Sequence, residues 1–565
     1  MYRKRPNVTI KEPIELINEK NEILSKLTKG NAVDRLAIET YPGVDKSCLI
    51  EEVQQNFSEY KIIDTDELYW SPARIMAALQ EDLTDDQAFG RFSHKDFSEF
   101  FDYEKIRQQR ELNKGGEKVI VIGVGAADVL DYEVLAYVDI TRWEVQLRYK
   151  EGLMNWQGFR EESFAEKLKR AYYFDWPAAD FRRRELVKSC DYYLDGTDHR
   201  SLKMIHESDL EKVLSAFIHQ PFRLVPYFDP GVWGGNWMQE KFDVGANQPN
   251  LGWSFDGVPE ENSILAKIGE FEFEMPAQLL VNSYPEELLG EKVYGRFGRD
   301  FPIRFDYLDT IDGQNLSLQV HPTLDYAYRK FGAKYTQDES YYILDCKEDA
   351  VVYLGVKDEV DKNGMISALK KAQETGTFDE ERYVNKFSVK KHDHFLIPAG
   401  TVHSSGKNCV VLEISATPNR FTFKLWDWGR LDLDGKPRPI SIDHGEQVIN
   451  TDFNETFAKR ELINAVTVIQ KEEGFLEEKT GLHVLEAIET RRLTFSKTIS
   501  LRTESSVNML NLVEGEQIVV TSPDGKFEPF DIYYGETFII PEIIGDYLLT
   551  PVDGQTVKVM KAYIR

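Results

Sequence analysis

The chain changes its hydrophobic period twice. Up to about residue 215, apolar runs of strand length alternate with segments of helical period. "RLAIETYP" (35–42), "YKIIDTDELY" (60–69), "KVIVIGVGAA" (118–127), "VLAYVDI" (134–140) and "CDYYLDG" (190–196) read as buried strands. A near-continuous apolar run of that length suits a strand covered on both faces. Amphipathic stretches such as "SFAEKLKRAYYF" lie between them. This alternation predicts a doubly wound α/β domain over 1–215. From 216 to 450 the pattern turns to short apolar strands and Gly-rich turns: "PGVWGGNW" (230–237), "YYILDC" (341–346), "AVVYLGV" (350–356), "HFLIPAG" (394–400), "CVVLEIS" (409–415) and "RFTFKLWDW" (420–428). One helical insertion, "MISALKKAQETG", interrupts them. That is all-β barrel patterning. Residues 451–565 repeat it with "SVNMLNLVEGEQIVV", "GETFIIPE" and "TVKVMKAYI". "GETFIIP" parallels "HDHFLIPAG", which predicts a second, related barrel. The last histidine is His483, so the second barrel lacks histidines at the matching places and is expected to carry no metal.

Length supports this division: 565 residues exceed one core and suit three or four domains. No stretch approaches the roughly 20 apolar residues of a membrane span. The opening "MYRKRPNVTIKEPIEL" has charge with no apolar core behind it, unlike a secretory signal. Net charge is -27, which argues against nucleic acid as the main partner. The four cysteines form no CxxC pair and read as reduced thiols of a cytoplasmic protein.

The first α/β strand runs into "ETYPGVDKSCLIEEV", where nucleotide-kinase-like domains have a phosphate loop. Gly43 and Lys46-Ser47 are present, but the GxxxxGK spacing is not. "GVGAAD" (123–128) is no full GxGxxG either. The expected domain is kinase-like and degenerate.

The chemistry gathers in 216–450. In "LSLQVHP" (316–322), Leu316, Leu318 and Val320 alternate with Ser317, Gln319 and His321. Strand side chains alternate faces, so Gln319 and His321 project together. Glu339 in "TQDESYYIL" and His403 in "PAGTVHSSGKN" fall at strand ends that a barrel can aim at one centre. One carboxylate oxygen, one amide oxygen and two imidazole nitrogens suit a single Zn²⁺; Mn²⁺, Co²⁺ or Ni²⁺ also fit.

Taken together, "LSLQVHP", "DESYYIL", "HFLIPAGTVH", "LEIS" and "KLWDWGR", with "VWGGNW" and "DGKPRPI", resemble class I mannose-6-phosphate isomerases, which are metal-dependent cupins. The resemblance spans about 222–565. It implies tandem cupin (jelly-roll) barrels, the first catalytic, with Gln319, His321, Glu339 and His403 as metal ligands and Arg430 as catalytic arginine. It implies a sugar phosphate as substrate and interconversion of mannose 6-phosphate and fructose 6-phosphate through an enediol. Two positions depart from the family. Many members carry Lys where Gln337 stands, and Arg where Lys424 stands. Lys334, Gln337 and Lys424 are the candidate substrate contacts, with Arg304 a further cation for a phosphate. His392, His394, Lys334 and metal-bound hydroxide remain open as the general base. Two other readings share these residues: a non-catalytic sugar-phosphate sensor, and a bifunctional kinase and isomerase. The missing phosphate loop speaks against the second.

Overall fold

The computed structural model describes all residues except 419, 432–434, 436, 437, 439 and 482. Most of "DGKPRPI" therefore lies outside the described residues. The chain forms two compact units. One comprises Asn7–Ala216 and Ser263–Ser283; the other comprises Met1–Pro6, Phe217–Asn262 and Tyr284–Arg565.

The first unit is built on a six-stranded sheet. Its order is Lys61–Asp64, Val119–Gly123, Arg35–Thr40, Val134–Asp139, Tyr192–Asp195 and Lys203–His206. All neighbours run parallel except the last pair. The apolar runs arise because both faces are covered. Val119 and Val121 pack into one apolar cluster, while Ile120 and Ile122 pack into another. Alternate residues of one strand thus serve opposite layers, as in a sheet sandwiched between helices. The segment read as the helix "SFAEKLKRAYYF" is helical over Phe164–Arg170, widens to a π turn over Ala171–Asp175, and resumes as Trp176–Leu186. A small second sheet joins Val8–Thr9, in parallel, to the hairpin Ser263–Ile268 and Phe271–Pro276.

At the end of the central strand the chain turns through Gly43, whose φ is +102°. A Cβ there would stand 2.8 Å from Val145 Cγ2, so the turn is packed shut against the helix Arg142–Lys150. Arg148 Nη1 donates to the Gly43 carbonyl at 2.9 Å. Lys46 is held by Asp64 and, at 2.7 Å, by Asp66.

The second unit is two sheet pairs. The first pair combines a six-stranded sheet, in the order His394–Ile397, Asp338–Cys346, Cys409–Ala416, Arg304–Asp309, Trp253–Gly257 and Tyr227–Asp229, with a five-stranded sheet, in the order Val384–Ser388, Val351–Val356, His403–Ser405, Leu318–Val320 and Phe423–Trp426. Leu308, Tyr341, Ile343, Phe395 and Val411 of one sheet and Val352 and Leu354 of the other fill the space between them. The second pair has six and four strands around Leu493, Leu510, Leu512, Val520, Phe538 and Val559. The predicted insertion is the helix Lys362–Thr375, between two strands of the five-stranded sheet.

Candidate metal centre

Three strands and one strand end meet at the candidate ligands. Leu318–Val320 pairs with His403–Ser405 so that Gln319 lies opposite His403. His321 follows immediately. Glu339 comes from the facing sheet, where Asp338–Cys346 places it between Ile397 and Ser415. His321 Nε2 is 3.0 Å from Glu339 Oε2, and His403 Nε2 is 2.8 Å from Glu339 Oε1. The donor atoms of these three residues lie within 4.8 Å of one another. Gln319 Nε2 is 3.2 Å from His403 Nε2. All four side chains are buried.

The far nitrogens fix the tautomers. His321 Nδ1 is 2.9 Å from the Phe421 carbonyl, and His403 Nδ1 is 2.8 Å from the Thr401 carbonyl. A carbonyl oxygen only accepts, so each Nδ1 carries the hydrogen and each neutral ring turns a bare Nε2 lone pair toward Glu339. His321 Nε2 and Glu339 Oε1 have close neighbours yet no aligned hydrogen bond. With both rings neutral, lone pairs face lone pairs, and a buried cluster of that kind is satisfied by positive charge at its centre, a proton on His321 or a metal ion. The residues therefore fit a divalent ion; Gln319 would need its amide oxygen, rather than the nitrogen it turns inward here, at the same point.

Electrostatics agree. Burial pushes the Glu339 carboxyl up, but His321 and His403 together hold it well below the ordinary range. Burial lowers His321, and the Glu339 charge more than reverses this, leaving it above the usual imidazole value. His403 is lowered by burial. Gln337 anchors the carboxylate: its Nε2 donates to Glu339 Oε2 at 3.0 Å while its Oε1 accepts from the Phe421 amide at 3.0 Å.

The remaining predicted residues fall at different distances from this point. Lys424 stands opposite Gln319 on the neighbouring strand, half-buried on the same face. Arg304 lies on the facing sheet, opposite Ser415, with Glu260 at 3.2 Å. Lys334 is exposed on the loop before the Glu339 strand. Arg430 sits beyond the other end of the Gln319 strand: Nη1 donates to the Asn315 carbonyl at 2.6 Å and Nη2 to Asp427 at 2.5 Å. His394 pairs with Tyr342, whose side chain points to the face opposite Glu339 and Tyr341. His394 is pushed down to about 3 by burial and by Arg492. His392 binds Tyr342 Oη at 2.8 Å and lies 2.9 Å from Glu514. Neither shares the face of the candidate ligands.

The sequence reading missed three neighbours of Glu339. Asp306, Glu413 and Tyr341 lie side by side across three adjacent strands, Asp306 paired with Glu413 and Glu413 with Tyr341. Burial, then Glu339, raises Asp306 well above the ordinary carboxyl value; burial, Asp306 and Glu339 do the same to Glu413. The signal was there: Asp306 and Glu413 are carboxyl groups inside the apolar strands "RFDYLD" and "CVVLEIS".

Comparison with known proteins bears on both units. Residues 19–219 match the family model described as "Domain of unknown function (DUF8485)". The chain is 24% identical over 331 residues to mannose-6-phosphate isomerase ManA of Bacillus subtilis, covering 58% of this chain and 96% of that one. It is 27% identical over 234 residues to mannose-6-phosphate isomerase of Streptococcus mutans, covering 41% and 68%. The crystal structure of mannose 6-phosphate isomerase from Bacillus subtilis superposes with a TM-score of 0.51 at 19% identity, over 61% of this chain and 99% of that one. The barrels have that cupin fold. Among the described residues, no helix is long and apolar enough to cross a membrane.

Proposed function

We propose that this protein is a metal-dependent aldose–ketose isomerase that interconverts mannose 6-phosphate and fructose 6-phosphate. The observation that carries the reading is the buried convergence of His321, Glu339 and His403, beside Gln319, in a barrel similar to enzymes of that name. Gln319, His321, Glu339 and His403 would hold one divalent ion, and the N/O donor set suits zinc. Bound there, the ion would supply Lewis-acid polarisation of a sugar oxygen. The chain's own residues do the rest. Gln337 and the two backbone carbonyls hold the ligands in one orientation. Enediol chemistry moves a proton between C1 and C2, which needs a group within hydrogen-bond reach on the ligand face. Glu413, Asp306 and Tyr341 occupy that face. Lys424 and Arg304 supply positive charge for the phosphate. Arg430 is assigned to orienting substrate hydroxyls once its Asp427 contact yields.

The deciding assay is turnover of mannose 6-phosphate to fructose 6-phosphate by the metal-supplemented intact chain and by His321→Ala. Metal-dependent turnover lost in the variant is expected. Silence of the intact, metal-loaded chain would sink the reading in favour of a sensor.

We read the α/β unit as kinase-like without phosphotransfer. Its support is the parallel layer whose central strand enters a loop and helix, together with the closure of that loop on Val145 and the pairing of Lys46 with two aspartates. Phosphorylation of free mannose at the expense of ATP would overturn it.

A further inference from the structure

Beside the candidate metal centre the barrel carries carboxyl groups that ligation does not use. Asp306, Glu413 and Tyr341 form one row across adjacent strands, and they are 5%, 7% and 0% exposed. Tyr341 is two residues from Glu339 and so shares its face. Its ring meets that of His403 edge-on at 5.8 Å. Its hydroxyl lies in the field of Glu339, Glu413 and Asp306. That hydroxyl is fully buried and lies against Glu339, without a well-aligned hydrogen bond. A phenol and two carboxyl groups in one row can both donate to and accept from a bound hydroxyl.

We propose that Asp306, with Glu413 and Tyr341, is the subsite that receives the hydroxyl groups at the reacting end of the sugar, and that Asp306 determines specificity there. This rests on the isomerase reading. A carboxyl group and a phenol both accept hydrogen bonds from sugar hydroxyls and can return them, so the row complements a polyol. The same row offers a phosphate no cationic partner, and burying a phosphate without one is costly. The phosphate end must therefore point away from the row, toward the side of Arg304 and Lys424. The hydroxyl next to the carbonyl carbon is the one assigned to Asp306.

The test uses the intact, metal-loaded chain and reads binding by calorimetry, with metal content measured in parallel. The ligands are mannose 6-phosphate and 2-deoxyglucose 6-phosphate, which lacks that hydroxyl. Asp306→Asn should weaken mannose 6-phosphate about tenfold, the scale of one buried hydrogen bond lost or mispaired. It should weaken the deoxy sugar less than about threefold, with metal unchanged. Glu413→Gln provides a second variant of the same row, expected to weaken mannose 6-phosphate in the same direction. Equal losses for both sugars in Asp306→Asn, or unchanged binding in both variants, would overturn the proposal. So would loss of metal from Asp306→Asn, since the residue would then serve Glu339 rather than the sugar. Sugar phosphate that binds with this dependence but is never isomerised would defeat the isomerase reading alone. Full turnover with no dependence on Asp306 would defeat this proposal alone.

Discussion

The two barrels of the β-rich unit have matching sheet orders and opposite centres. In the first, Asp338–Cys346 is flanked by His394–Ile397 and Cys409–Ala416; in the second, Asn508–Glu514 is flanked by Thr537–Ile540 and Val557–Ile564. Glu339 pairs with Ile397, and Asn508 pairs with Ile540. So Asn508 takes the place of Glu339. Where His403 comes within 2.8 Å of Glu339, the Tyr547 hydroxyl donates to Asn508 Oδ1 at 2.9 Å. Asn508 Nδ2 in turn donates to the carbonyls of Thr503 and Ser506. The second centre is neutral and complete within itself. The first collects lone pairs that oppose one another. One framework thus yields a structural barrel when its polar groups close on each other, and a reactive barrel when they are left needing a cation.

The sharpest break of this comparison is a pair of variants. Glu339→Gln should cut metal-dependent turnover by more than about 10³-fold, whereas Tyr547→Phe should stay within about twofold of the intact chain; a coupled fructose 6-phosphate assay compares them. Next, Asn508→Asp forces a charge into the closed centre, facing two carbonyls. It should cost about 3 kcal/mol, roughly 10² in the folding constant, read by denaturant titration. Glu339→Gln should move the same midpoint far less. Third, Gln337→Ala removes the anchor of the glutamate ligand. Metal affinity should fall about 10- to 100-fold in a chelator competition, with little change in stability. Fourth, the first centre should respond to pH. His321 is held above the ordinary imidazole value, so the metal-free centre is protonated below that value and the ion must displace the proton. Metal affinity should therefore begin to fall before the pH reaches the ordinary imidazole value and drop about tenfold per pH unit below that onset; a flat titration between pH 8 and 5.5 would contradict this. The smallest effect is again at Tyr547. Losing its hydroxyl should destabilise the second barrel by about 1 kcal/mol, visible as a small drop in Tm.

Much of this was legible in the chain. Gln319 and His321 stand two apart in a strand, so alternation alone puts them on one face. The parallel strands declared themselves because Val119 to Ile122 are apolar at every position, which only a doubly covered strand tolerates. Other features depend on distant partners. Ser263–Ile268 and Phe271–Pro276 fall inside 216–450, the span expected to be barrel, and nothing local says that Ala266 pairs with Val8, so their place in the α/β unit was hidden. Asp306 escapes a reading of the chain alone, since an acidic residue in a strand usually marks its solvent side. Only the register with Glu413 and Tyr341 shows it turned inward. His392 and His394 look like chemistry in "KKHDH", and the single-residue offset between Tyr341 and Tyr342 decides that they face elsewhere.

The tautomers of His321 and His403 are set by the carbonyls of Phe421 and Thr401. Those acceptors belong to the path of the chain and not to any side chain. The instruction that chooses which ring nitrogen is bare is therefore written where amino-acid replacement cannot erase it. A library that randomises position 401 or 421 should keep the choice wherever the loop keeps its course. Inheritance of the centre then depends on four letters and a curve, and a lineage can rewrite the letters along that curve while the choice persists.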